Sequence, residues 1–158
     1  MHKGESKNLS CTAPYKYEGK FPLWVIIEYF SIGMLSYFYR GMKTSDKKAI
    51  ARNLYGTSHF VLESWTRCIT DLRNKCAHYS RLYYTIFPAI PKMPKDTKYV
   101  PTRRLFAQLY MLKFMYPDSE KWETNFVNPL IKLIKKYRTY IDLKHLDFPY
   151  RWKSLLLK

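Results

Sequence analysis

Acidic side chains are scarce in this sequence. Twelve Asp and Glu stand against twenty-eight Lys and Arg, which leaves a formal charge of +16 over 158 residues. Such an excess attracts polyanions over long range, so nucleic acid or an anionic membrane enters as a partner, although a basic exterior also serves solubility alone. Cysteine is nearly as sparse: Cys11, Cys68 and Cys76 are odd in number and spaced for neither a disulfide framework nor a zinc knuckle, which favours a reducing, cytoplasmic setting. The four histidines, His2, His59, His78 and His145, lack a second ligand at metal-binding spacing. The expectation is chemistry without a metal or another cofactor. A charged start followed by an apolar core and a small-residue cleavage site is also missing, so no secretory signal is expected.

One long apolar run is present, "FPLWVIIEYFSIGMLSYFY", with Glu28 as its single charge. A lone carboxylate in mid-segment is costly in lipid, and Pro22, Ser31, Gly33 and Ser36 interrupt the run, so it reads as a buried core helix rather than a membrane span. With 47% apolar residues the chain can bury one core.

Residues 1–20 are polar and without period and read as a flexible arm; the folded domain is expected over residues 21–158. Helix one runs from Phe21 to Gly41 on the spacing of Trp24, Ile27, Phe30, Met34 and Phe38. A second helix starts at a Thr44 or Ser45 cap, has Asp46 in its first turn and stops at Gly56. A third extends from Ser58 through Tyr84, its core stripe being Leu62, Trp65, Ile69, Leu72, Cys76 and Tyr79. Pro88, Pro91, Pro94 and Pro101 impose an extended basic loop. A fourth helix lies between Pro101 and Pro117, and a fifth begins at Asp118 or Ser119 and kinks at Pro129. No strand pattern competes, so the fold class is an all-α bundle of about five helices.

Chemistry concentrates in "DLRNKCAHYSRLYY". On the third helix Asn74, His78 and Arg81 face away from the core stripe, at spacings of four and three that make them surface neighbours. Arg73 lies five residues from His78, about 140° around and about 7.5 Å along an ideal helix, so the two heads meet only if Arg73 wraps, the helix end loosens or a second subunit completes the site. RNA self-cleavage needs a proton removed from a 2′-hydroxyl, charge stabilised on the phosphorane and a proton given to the leaving 5′-oxygen. Histidine can do either proton task, arginine grips phosphate oxygens, and Asn74 can orient the imidazole or donate to phosphate. The same residues also suit a plain solvated helix face.

The blocks "FPLWVIIEYFSIGMLSYFYR", "SWTRCITDLRNKCAHYSRLYY" and "LDFPYRWKSLL" together resemble the Abi-like family of bacterial abortive-infection proteins, whose helical core belongs to the HEPN superfamily. The resemblance runs from about residue 21 to the C-terminus; relatives usually carry a further helical region before the "PLW" block, so a truncated copy or a split gene is one expectation. "RNKCAH" matches the HEPN signature of an arginine, a polar residue and a histidine. The resemblance implies a HEPN-like bundle and a metal-independent endoribonuclease of toxin or phage-defence type. Such an enzyme leaves a 2′,3′-cyclic phosphate at a composite site made by two protomers. Arg73, Asn74 and His78 carry over as catalytic, with Arg81 in support. Glu28 corresponds to a polar residue that some relatives set against the motif, or is a carboxylate satisfied by a neighbouring Lys or Arg. The implied partners are RNA, tRNA among the candidates, a second copy of the chain, and an antitoxin or regulatory RNA.

Lys92, Lys95, Lys98, Arg103 and Arg104, in or just after the proline-rich loop, are expected to contact RNA backbone near the cleft. Aromatic and basic residues interleave in "KKYRTY" and "SRLYY", which suits base stacking or simple packing. An RNA-binding or regulatory remnant without turnover is the alternative function. A peripheral membrane role for helix one or for the face bearing Lys132, Lys135, Lys136 and Arg138 is set aside, because bundle packing suffices to explain both.

Overall fold

A computed structural model of the chain describes residues 22–157; the expected arm over 1–20 and Phe21 lie outside the described residues. The described residues form helices and no strand. Their order is α1 (Leu23–Glu28), α2 (Ile32–Gly41), α3 (Thr44–Tyr55) and α4 (His59–Ala77), then after a long irregular loop α5 (Leu105–Met115), α6 (Ser119–Trp122) and α7 (Asn128–Tyr137), a 3-10 turn (Leu143–Leu146) and α8 (Trp152–Leu156).

The apolar run is two helices, not one. Ser31 turns extended at ψ 158° and its Oγ accepts the Met34 N–H at 3.2 Å, so the serine caps a new helix where periodicity alone reads straight through. Nor is the run buried as expected. Of α1 and α2 only Tyr39 is buried, while Leu23, Ile27, Tyr29, Met34 and Phe38 are exposed. Among the described residues no helix is long and apolar enough to cross a membrane.

Lys43 holds the cap position of α3 without a side-chain bond, and Thr44 and Ser45, expected there, sit in its first turn. Gly56 closes α3 at φ 59°, a left-handed conformation that glycine adopts without a Cβ penalty. Ser58 caps α4 through its Oγ, 3.4 Å from the Val61 N–H, and Asp118 caps α6 by accepting from Glu120 and Lys121. Those bonds, and the Lys121 ammonium 3.2 Å away, hold the Asp118 carboxyl below the usual range. A π turn over Glu123–Val127 lies just upstream of Pro129, which sits in the first turn of α7, and a π turn is one of the features that bend a helix.

Helix α5 is the shared spine of two cores. Its residues Phe106 to Met111 are all buried, which accounts for its apolar character on every side. Met111 joins Tyr39, Ala51, Leu62, Trp65 and Cys68 from α2, α3 and α4. Phe106 and Tyr110 join Trp122, Val127, Trp152 and Leu156. The second core explains "LDFPYRWKSLL": its Trp152 and Leu156 dock α8 against α5 and α6. The Trp122 indole donates to the Leu156 carbonyl at 3.0 Å, and Lys113 Nζ donates to the carbonyls of Leu155 and Leu157 at 2.6 and 3.0 Å.

Candidate active site on the last turn of α4

Helix α4 stops at Ala77, seven residues short of Tyr84. His78 is the cap at φ −92°, ψ 14°, and Tyr79 swings to φ 52°. The Ser80 N–H reaches the Lys75 carbonyl at 2.8 Å and the Tyr79 N–H the Cys76 carbonyl at 3.2 Å. This paired closure is a Schellman turn, built with tyrosine where glycine is usual. Because the left-handed region penalises a Cβ, Tyr79→Gly is expected to raise unfolding free energy by roughly 0.5–1 kcal/mol, read by urea denaturation. An unchanged or lowered midpoint would mean that the Tyr79 side chain itself contributes.

The turn presents the motif to solvent. Arg73, Asn74, His78 and Arg81 are all exposed. Arg73 Nη1 donates to Asn74 Oδ1 at 3.3 Å, so the arginine and the asparagine form a pair. Asn74 and His78 remain joined through the His78 N–H to Asn74 carbonyl bond of 3.0 Å. The helical neighbour relation expected between His78 and Arg81 ends with the helix. Cys76, expected in the core stripe, is exposed, and Cys68 takes the buried place, where desolvation pushes its thiol up to about 12. Tyr79, expected on the same stripe, is almost fully exposed. Glu28 is exposed at the end of α1, and its carboxylate takes part in neither ion pair of the described residues.

The loop behind the motif is fastened to the start of α5. Phe87, fully buried, is bonded twice to Arg103: its N–H donates to the Arg103 carbonyl at 2.8 Å, and the Arg103 side-chain Nε donates to the Phe87 carbonyl at 2.7 Å. Arg104 Nη1 donates to the Tyr84 carbonyl at 2.8 Å. Both guanidinium groups therefore have structural partners, although Arg103 is itself exposed, as are Lys95 and Lys98, which no hydrogen bond or ion pair ties down among the described residues. Tyr84 lies at φ 64° with its ring 4.2 Å from that of His145, and Tyr83 Oη accepts the Asp142 N–H at 2.9 Å.

Along α4 the motif continues a second polar row. Arg67, Asp71, Asn74 and His78 recur at intervals of four, three and four and so share one face. The first two line a cleft of about 710 Å³ between α2, α4 and residues 88–92, together with Ser36, Tyr37, Arg40, Phe60 and Lys92. Burial raises the Asp71 carboxyl above its usual range, against the lowering effect of Arg67 and Lys75, and its Oδ2 has no hydrogen-bond partner among the described residues. The spacing was available in the sequence; what hid it was that α2 supplies the opposite wall. Among the described residues no group of three or more His, Cys, Asp and Glu side chains gathers as a metal cluster.

Comparison with curated proteins and with solved structures finds no match. The family model described as Abi-like protein matches residues 2–84, a span that takes in residues 2–20, α1 to α4 and the motif, and ends before α5 and the C-terminal block. That span is more than half of the 158 residues, and the chain belongs to the Abi-like protein family.

Proposed function

We propose that this protein is a metal-independent endoribonuclease of abortive-infection type, and that two copies combine their α4 motifs into one site. The observation that carries the reading is the exposed Arg73, Asn74 and His78 set at the closed end of α4, in a chain of the Abi-like family. In the reaction the 2′-oxygen bonds to the adjacent phosphorus while the bond from phosphorus to the 5′-oxygen breaks. One proton leaves the 2′-hydroxyl and one reaches the 5′-oxygen, so the products are a 2′,3′-cyclic phosphate and a 5′-hydroxyl. One His78 imidazole takes the proton from the 2′-hydroxyl, and water gives the proton to the leaving 5′-oxygen. Arg73 holds the non-bridging oxygens as charge builds on them, and Asn74 orients the arginine it already touches. The exposed apolar residues of α1 and α2 support an assembly of two copies, because contiguous apolar surface is rarely left bare.

The experiment is incubation of the full chain with tRNA and total RNA in EDTA. Cleavage with 2′,3′-cyclic ends is expected to persist in the chelator and to fall about 100-fold or more in His78→Ala. RNA left intact by the wild type, or cut equally well by His78→Ala, removes the reading. The charge of +16 independently favours a second reading, an RNA-binding remnant without turnover. That reading predicts salt-sensitive binding with the RNA recovered whole.

A further inference from the structure

The cleft upstream of the motif has features that the catalytic residues do not use. Its cations come from three different segments: Arg40 on α2, Arg67 on α4 and Lys92 on the loop. Each of two exposed rings lies beneath one of them, Tyr37 with Arg40 at 5.2 Å and Phe60 with Lys92 at 5.7 Å. The facing walls are fixed. Thr70 Oγ1 lies 3.4 Å from the Ile32 carbonyl across the α2–α4 contact, and Ser64 Oγ accepts the Lys92 N–H at 2.9 Å. The carboxylate of Glu63 is held by Lys47 at 3.3 Å, which leaves the three cations in excess over Asp71.

We propose that this cleft is a subsite for single-stranded RNA, with Arg40, Arg67 and Lys92 taking backbone phosphates and with Tyr37 and the Phe60–His59 ring pair, centroids 4.0 Å apart, offering aromatic surface to unstacked bases. Alternating cations and flat rings is the arrangement that grips a single strand without reading its sequence. A duplex keeps its bases stacked inside and gains nothing from the rings. The volume of about 710 Å³ admits a nucleotide and its neighbours. The row on α4 supplies the direction. Arg67 and His78 share a face and stand about 16 Å apart along the axis, so a strand seated in the cleft passes Asp71 and Asn74 on its way to the imidazole. The assignment rests on the ribonuclease reading for the role of that endpoint, while binding itself does not require turnover.

The test uses the full chain and a 2′-O-methyl single strand of about ten mixed nucleotides, which cannot be cleaved by attack of a 2′-hydroxyl. Arg40→Ala with Arg67→Ala is expected to weaken binding about tenfold and to lower the salt slope by about 1.4. Tyr37→Ala with Phe60→Ala is expected to weaken it about fivefold or more with the slope unchanged. Wild-type affinity in both cleft variants overturns the subsite. So does equal affinity for duplex RNA, or displacement by a polyglutamate peptide as readily as by RNA, which would mark a reader of charge alone. The two readings fail separately. Cleft variants that bind normally, beside a His78→Ala that no longer cleaves, remove the subsite and keep the nuclease. Weakened cleft variants, beside a wild type that never cleaves, remove the nuclease and keep the subsite.

Discussion

Mixing Arg73→Ala with His78→Ala is expected to restore RNA cleavage that neither variant has alone. The reason lies in the helix geometry. The two side chains stand about 140° apart around α4, and Arg73 is turned to Asn74, one residue on, at 3.3 Å. A phosphate gripped by Arg73 therefore meets the imidazole of another copy more readily than that of its own chain. In a mixed pair one copy still supplies the arginine and the other the histidine. Random exchange makes half of the pairs mixed, each with one of its two arginine–histidine combinations intact, so about a quarter of the wild-type rate is expected at equal concentrations. Each single variant should fall about 100-fold or more. Cleavage is read on tRNA in EDTA after the two variants are unfolded and refolded together. A mixture no more active than its components would place both groups of a working site in one chain, or show that no pair forms. Sedimentation separates those two outcomes.

Trp65→Ala should have the largest effect on stability. Trp65 is fully buried between α3 and α5, its ring stacked 5.8 Å from Phe114 and edge-on to Tyr55 at 6.4 Å, and its indole N–H donates to the Lys92 carbonyl at 2.6 Å. Truncation removes the packing, leaves a cavity and strands that carbonyl. The first two effects alone cost about 3–5 kcal/mol, against a total stability of roughly 5–15 kcal/mol for an ordinary domain. A fall in the thermal midpoint of about 10 °C or more is expected by circular dichroism. Trp65→Phe keeps most of the packing and loses the bond, so it should cost about 1–3 kcal/mol. Because the bond ties the loop at Lys92 to α4, Trp65→Phe should also weaken single-stranded RNA in the cleft while leaving the α4 motif in place. A phenylalanine variant as stable as the wild type would show that the loop is held by other contacts, among them the Ser64–Lys92 bond of 2.9 Å.

Local signals were read well where the partner group lies within a few residues. Ser58 and Asp118 as caps, Gly56 as a stop and the prolines of the 88–101 loop all act through their own backbone, and each appears in the structure as its residue type requires. Ser31 obeys the same physics, yet its apolar neighbours continue a helical spacing across it, and periodicity masked the cap. The end of α4 was hidden for a related reason. Apolar spacing continues to Tyr79, but the whole last turn from Arg73 to Ala77, apart from half-buried Lys75, is exposed. With no core beyond it to reward further helix, the chain turns at a tyrosine that carries no glycine signal. The short α8 has too few residues to show a period, and it stands because Trp152 and Leu156 fill the second core.

The sequence by itself determined the helical class, most caps and the spacing of Arg73, Asn74 and His78, because these depend on backbone chemistry and on residues one to four positions apart. Only the tertiary structure decided which cysteine is buried, that α1 and α2 leave an apolar face exposed, that Arg103 and Arg104 fasten the loop, and that Arg40, Arg67 and Lys92 meet around one cleft. Those outcomes depend on which segments far apart in the chain pack together, and packing is set by the summed fit of whole faces rather than by any single spacing.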